Sequence, residues 1–546
     1  MVDLLIKSGL ICDGSGEKPF IGDVAVKDGK IVEVVPSGGS FAGSSAGSSA
    51  GALAGAEAAV VVDAAGLVVS PAFIDMHSHS DGSYIQDDKC ESKIYQGVAT
   101  EVTGQCGSSL FPRSREQMAR LKEKGPDDKW DKAEYYQSAD FEQLRGRVGA
   151  EGRRMSTNLV QLVGHNAIRC GVVGMSGRAS TGEENEISAR LLDQNLQQGA
   201  WGLSLGLGYM PGIFSEINEL VALGNVCYKH NVVITSHMRS EGERLYEAID
   251  EMIEINRRTG ARVHIAHLKV ANKHLWGTAD RMYEHFQKAR ASGVAITMDM
   301  YPYNASSTGI TNVLPDWAME GGAEATTKRL VTPGEERDRL VAHLNERYPD
   351  KEAGNRVYVI STYGQYEPAD DKKMGDLAEE LGLSVPETLE KVLIATGCIA
   401  DCIFFSMHED DVMYLLTKDI AIGSDGSGRP YDPSMNYGKP HPRTYGTFPR
   451  FLRLRREKNL CPLETAIYRM TKKPAGIVGL KDRGALAPGY VADITIFDEA
   501  HLCDTATFSN PFQKPVGIKH VIMNGSFAIK DGEQTGERLG SYLLRV

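Results

Sequence analysis

Val68-Val69-Ser70-Pro71-Ala72-Phe73-Ile74-Asp75-Met76-His77-Ser78-His79 is an apolar run that opens into a polar segment carrying two histidines one residue apart. On a strand successive side chains alternate faces, so His77 and His79 point one way and Ser78 the other. Two imidazoles converging on one point suit a metal, although a merely packed pair would give the same motif. An apolar strand ending in a polar loop is also where a parallel α/β barrel places its chemistry. The motif gains weight only if further ligands end further strands.

Downstream, apolar runs alternate with helix-length polar segments, the rhythm of repeated βα units and a parallel sheet. Eight candidate strands follow: 68–79, 98–106, 158–165, 200–207, 231–238, 262–268, 294–303 and 420–425. Eight such units close a (β/α)8 TIM-like barrel. The long interval before the last one reads as an insertion over about 318–400, a natural lid, because a structureless stretch of that length would argue against the assignment. Within it Ser384-Val385-Pro386-Glu387 resembles a capping box.

Both chain ends have a different texture. Short strands surround Leu4-Leu5-Ile6 and Asp23-Val24-Ala25-Val26, and Asp28-Gly29 turns into Lys30-Ile31-Val32. Near the other end come Ile494-Thr495-Ile496-Phe497, Val521-Ile522-Met523 and an Asn524-Gly525 turn. Residues 1–67 and 481–546 are therefore expected to build one discontinuous β-sandwich, leaving 68–480 for the barrel. A Gly/Ala/Ser tract at 37–59 cannot bury a core and reads as a flexible excursion.

Bulk composition narrows the partners. With 546 residues and a net charge of -12, the chain shows no basic cluster that would suit nucleic acid or an anionic membrane surface. No apolar stretch approaches a bilayer span, and Met1-Val2-Asp3-Leu4 does not open a signal segment, so a cytoplasmic protein with a small-molecule partner is expected. Nine scattered cysteines fit a reducing compartment. Cys398 and Cys402 lack a second pair and read as ordinary thiols.

Further strand ends do supply ligands: Cys106 in Gly104-Gln105-Cys106-Gly107, then His237, His267 and Asp425, beside His77 and His79. Each alone has a bland explanation as a packed or hydrogen-bonded residue. Their shared position at strand ends points to a metal, and imidazole with thiolate selects zinc. His264, three residues before His267, is expected on the opposite face toward the helices. His165, ending strand three, is open between supporting a ligand and touching substrate.

The set Asp75-x-His77-x-His79, Gly104-Gln105-Cys106-Gly107, Ser236-His237-Met238-Arg239, Ala266-His267-Leu268-Lys269, Tyr301-Pro302-Tyr303, Gly423-Ser424-Asp425-Gly426 and His441-Pro442-Arg443-Thr444-Tyr445-Gly446 resembles the D-aminoacylase (N-acyl-D-amino-acid deacylase) branch of the amidohydrolase superfamily. The resemblance spans nearly the whole chain. It implies a tight Zn2+ on Cys106, His237 and His267, a second, weaker position near His77, His79 and Asp425, and Asp425 as general acid/base. It also implies Tyr301 and Ser307 as donors beside Arg443. Leu268 stands where the family often has another histidine, and the 37–59 tract is extra; neither departure removes a ligand.

An N-acyl amino acid carries a free carboxylate, and Arg443 offers the planar fork that matches one. Lys269 shares the face of His267 and is open between substrate and solvent. Tyr209 and Met210 either wall the site or pack. Two rivals remain: a cyclic-amide hydrolase of the dihydropyrimidinase or hydantoinase kind, which would want a bridging lysine where Cys106 stands, and a non-catalytic amidohydrolase-like assembly protein. Metal analysis separates the last: we expect stoichiometric zinc in the purified protein, lost in Cys106→Ala, whereas a metal-free, normally folded wild type contradicts the metal reading.

Overall fold

The computed structural model describes residues 1–36, 57–114, 117 and 137–545. Parallel strands form two sheets. Phe73–Asp75, Val98–Thr103, Asn158–Gln161 and Tyr542–Leu543 make one. Val163–Gly164, Gly202–Gly206, Val233–His237, Arg262–Ile265, Ile296–Met300 and Ala421–Ile422 make the other, in that spatial order. Every residue of Val98–Thr103 and Gly202–Gly206 is buried, as expected for strands covered on both faces.

The sheets meet at both margins. At one, Asn158–Gln161 runs on into Val163–Gly164, with the Leu162 N–H donating to Thr103 O at 2.9 Å. At the other, Met76 N–H donates to Ile422 O at 3.3 Å, and Ser78 bridges Gly426 in parallel. Helices pack outside. Leu245–Thr259 shows why: Leu245, Ala248, Ile249, Met252 and Ile253 recur at helical spacing and are all buried.

The stretch 68–79 is two strands rather than one. Val68–Pro71 pairs with Ile494–Phe497 and with Leu10–Ile11, so it belongs to the sheet built from the chain ends. The handover is one residue long: Ala72 N–H donates to Asp493 O, and Phe73 N–H to Gly97 O, both at 2.9 Å. An unbroken apolar run hides a change of partner that only the ladder reveals.

Among the described residues that end-built sheet has nine strands and takes them from both ends of the chain. Its turns carry the chemistry the sequence signals, with positive φ at Asp28 (52°), Gly29 (73°), Asn524 (50°) and Gly525 (79°). The two turns touch, and a Cβ added at Gly29 would stand 2.9 Å from Asn524 O. Of the Gly/Ala/Ser tract, residues 37–56 lie outside the described residues, while Ala58 and Ala59 begin the strand Ala58–Asp63.

The interval before the last parallel strand holds its own antiparallel sheet, in the order Ser306–Gly309, Asp401–Phe404, Val357–Ser361, Lys372–Lys373. It has its own core, including Ile310, Leu344, Val359 and Leu389. This unit runs from 306 to 404, wider than the expected 318–400. Ser306-Ser307-Thr308-Gly309 has no apolar alternation and becomes a strand only through its partner. Among the described residues no helix is long and apolar enough to cross a membrane.

Ser384 forms the capping box: Glu387 N–H donates to its hydroxyl at 3.4 Å, and its own N–H donates to Glu387 Oε2 at 2.8 Å. Ser384→Ala is expected to cost about 1 kcal/mol. Denaturant unfolding of that unit checks it, as a lower midpoint with unchanged slope.

Candidate metal centre and catalytic site

Cys106 lies three residues beyond Val98–Thr103 in a turn with left-handed backbone, φ 52°, between Gly104 and Gly107. His267 (φ 36°) and Asp425 (φ 53°) also sit just past strand ends in that region. Non-glycine residues pay steric strain there, and such strain collects at functional sites. Each sharp turn brings its side chain to one cluster above the strands.

Cys106 Sγ is 3.4 Å from His77 Nε2 and 3.4 Å from His267 Nε2. His237 Nδ1 is 2.9 Å from His267 Nε2. On the other side, Asp425 Oδ1 stands 3.1 Å from His79 Nε2 and 3.6 Å from His77 Nε2. Three sets bring their ligand atoms within 4.8 Å of one another: His77, Cys106 and His267; His77, His79 and Asp425; His237, Glu241 and His267. The sequence-derived ligands thus form one cluster, with His77 and His267 shared between sets.

The donor set fits zinc. A sulfur about 2.3 Å and a nitrogen about 2.05 Å from one tetrahedral ion stand about 3.5 Å apart, close to the spacing around Cys106. Burial holds His77 down to about 4 against Asp299 and Asp425, and holds His237 down to about 3, so both rings are neutral near pH 7 with lone pairs to offer. Burial, with Asp425, pushes the Cys106 thiol well above its ordinary range. A dication is what would ionise it.

Asp425 is held well below the carboxylate range: burial works against this, but Arg443, His267, His79 and His77 outweigh it. Arg443 Nη1 lies 2.9 Å from Asp425 Oδ2. Arg443 starts the helix Arg443–Lys458, its N–H donating to His441 Nδ1 at 3.0 Å. Its guanidinium stacks 4.7 Å over the Tyr301 ring, and Nη2 donates to Ser307 O at 3.3 Å. The carbonyl of Ser307, rather than its hydroxyl, makes that contact.

Lys269 is 3% exposed and not a solvated lysine: Nζ is 2.5 Å from Glu241 Oε1 and 2.7 Å from His267 Nδ1. Glu241, which the sequence reading missed, also stands 2.9 Å from His267 Nδ1. Engaging one ring nitrogen leaves the other aimed at the cluster, the usual way a carboxylate orients a ligand histidine. Its place four residues after His237 in the same loop was the available signal.

His264 does not face the helices. It is buried, with Nε2 2.7 Å from Asp299 Oδ2 and Nδ1 2.8 Å from Thr297 Oγ1. Alternation does not carry from His264 to His267, because the strand stops at Ile265 and the chain turns before His267. Asp299, also missed, accepts the His267 N–H at 2.8 Å and lies 3.7 Å from His77 Nδ1. A lone carboxylate in the apolar run Ile296–Met300 was the clue.

His165 opens the helix His165–Val172 instead of ending a strand, and pairs with Glu219 at 2.7 Å, fully buried. Its neighbour Asn166 lines the cavity instead, donating to Gly206 O at 3.1 Å and Tyr209 O at 3.3 Å. Tyr209 packs its ring 4.5 Å from that of His237 and walls the site. From Cys106, His79, Asp425 and Arg443 a cavity of about 550 Å³ opens between Tyr209–Pro211 and Ser307–Thr308. The cluster is therefore reachable by a small molecule.

The amidohydrolase family model matches residues 60–350 and 412–529. N-acyl-D-aspartate deacylase of Alcaligenes xylosoxydans xylosoxydans is 33% identical over 549 residues, covering 99% of this chain and 95% of that protein. D-aminoacylase of the same organism is 31% identical, covering 100% and 98%. N-acyl-D-glutamate deacylase from Bordetella bronchiseptica, solved with zinc and a phosphonate mimic of the tetrahedral intermediate, matches with TM-score 0.80 and 28% identity over 100% of both chains. L-hydantoinase from Arthrobacter aurescens, at TM-score 0.56 and 16% identity over 100% of both chains, shares the fold alone.

Glu241→Gln removes the charge behind His267. Zinc affinity, read by competition with a chromophoric chelator, is expected to fall roughly 10–100-fold; an unchanged affinity would deny the carboxylate that role.

Proposed function

The chain belongs to the D-aminoacylase branch of the amidohydrolase family, and from that premise we propose that it is a zinc-dependent N-acyl-D-amino-acid deacylase, cleaving a linear amide to a carboxylate and a free D-amino acid. The observation that carries the reading is Cys106 Sγ, 3.4 Å from two imidazole nitrogens at the foot of an open cavity. Cys106, His237 and His267 would hold the tight ion, with His77, the second imidazole at the sulfur, shared with a weaker position that His79 and Asp425 would complete. When bound, zinc lowers the pKa of a water to about 7 and polarises the scissile carbonyl.

The protein's own groups do the rest. Asp425, ionised by its surroundings, takes a proton from the attacking water at Oδ1. It returns that proton to the amide nitrogen as the carbon–nitrogen bond breaks, so base and acid work fall to one carboxylate. Arg443, steadied by Tyr301 and the Ser307 carbonyl, grips the substrate carboxylate. Lys269 donates to Glu241, and because His267 Nδ1 turns its proton toward the same carboxylate, the remaining lysine donors are left for a substrate oxygen. Full-length likeness to deacylases of D-amino acid derivatives supports the D preference.

The same reading takes the two parallel sheets, apart from the short strand Tyr542–Leu543 that the C-terminal segment adds to them, as one (β/α)8 barrel within 68–480, flanked by a β-sandwich of 1–67 and 481–546 to which Val68–Pro71 also contributes. Hydrogen bonding across both sheet margins supports it. The 306–404 unit serves as a lid, since Ser307 and Thr308 line the cavity. A cyclic-amide hydrolase shares only the fold, and an assembly protein would have no use for the donors.

Assay of N-acetyl-D- and N-acetyl-L-amino acids, with and without added zinc, tests the proposal. Turnover of D substrates alone is expected, and Asp425→Asn should keep its zinc while losing at least about 100-fold in kcat. Equal rates on both enantiomers, activity confined to hydantoins or dihydrouracil, or an active Asp425→Asn would contradict it.

A further inference from the structure

Lys93 lies in the short helix Glu91–Ile94, fully buried and outside the cavity lining. An ammonium has three donors, and three acceptors converge on this one: Asp75 Oδ2 at 2.7 Å, Ser424 Oγ at 2.7 Å and Gly426 O at 2.8 Å. A second buried carboxylate, Glu101, stands 3.5 Å away. Glu101 accepts in turn from the hydroxyls of Ser78 and Ser80, each at 2.5 Å, and of Thr157 at 2.6 Å.

These partners are chain neighbours of the candidate ligands. Asp75 precedes His77, Ser78 and Ser80 flank His79, and Ser424 and Gly426 flank Asp425. Asp75 Oδ1 also accepts the Ser424 N–H at 2.7 Å, so the same carboxylate ties both segments. We propose that Lys93 is a positioning residue: by clasping the end of the first parallel strand to the turn after the last, it fixes the separation of His77 and His79 from Asp425. A buried ion pair is a poor source of net stability compared with well-packed apolar side chains, whereas three fixed acceptors around one ammonium define geometry. Arginine cannot reproduce that geometry, because its donors lie in a plane at the end of a longer fork.

The inference rests on the zinc-site reading above. Its test compares the wild type with Lys93→Arg, which keeps the charge, and with Lys93→Met/Asp75→Asn, which removes one cation and one anion together. Circular dichroism reports the fold, chelator competition the zinc affinity, and N-acetyl-D-amino acids kcat and KM. Both variants are expected to fold, to bind zinc at the weaker position about 10–100-fold more weakly while the tight position is unchanged, and to lose kcat by a similar factor, with KM within about threefold of wild type. A folded variant that binds zinc and turns over like the wild type overturns the proposal. If the double variant fails to fold, Lys93→Arg decides, and unfolding of Lys93→Arg as well overturns it in favour of a purely structural role. A wild type that binds zinc yet hydrolyses no N-acyl-D-amino acid would instead sink the deacylase reading, while the zinc affinities still judge Lys93.

Discussion

The seam between the first and last parallel strands is the constraint on which the site depends. His77 O accepts the Asp425 N–H at 2.8 Å, and Asp75 Oδ1 accepts the Ser424 N–H at 2.7 Å, so two segments almost 350 residues apart are held in register. The contacts of His77 and His79 with Asp425 follow from that register. Once it is set, His77 stands between Cys106 and Asp425, and His79 reaches the same carboxylate. A slip of one residue would turn both histidines away.

Around that seam the protein accepts local costs. Cys106, His267 and Asp425 occupy left-handed backbone, and carboxylates lie beneath or beside the cluster, buried at Asp75 and Asp299 and half-buried at Glu241. Such groups are tolerable only when paired: Asp299 holds His264 and the His267 N–H, and Glu241 holds Lys269. Packed helices such as Leu245–Thr259 and the apolar strands supply the favourable burial against which this strain is set. Neutral, buried imidazoles and an un-ionised thiol in the same space form a set completed by a cation.

Much of this was legible in the sequence, and the limits have physical causes. Apolar runs revealed the parallel strands because both faces are buried, yet they could not show that Val68–Pro71 leaves for another sheet, since partner choice is non-local. The His77–His79 pair and the strand-end residues Cys106, His237, His267 and Asp425 were readable from position and type. His264 was misread because period-two alternation holds only while the strand lasts. Lys93, Glu101, Glu241 and Asp299 escaped notice, because a buried charge is written in the same letters as an exposed one until its partners are known. Turn chemistry at Asp28-Gly29 and Asn524-Gly525 was legible because few residues adopt positive φ there.

Cys106 and histidines of the parallel-strand ends are proposed to share one zinc ion. X-ray absorption at the zinc edge of the purified protein tests this most directly. A sulfur scatterer at about 2.3 Å together with nitrogen or oxygen scatterers at about 2.0–2.1 Å is expected. A shell of nitrogen and oxygen alone, with no sulfur, would contradict it.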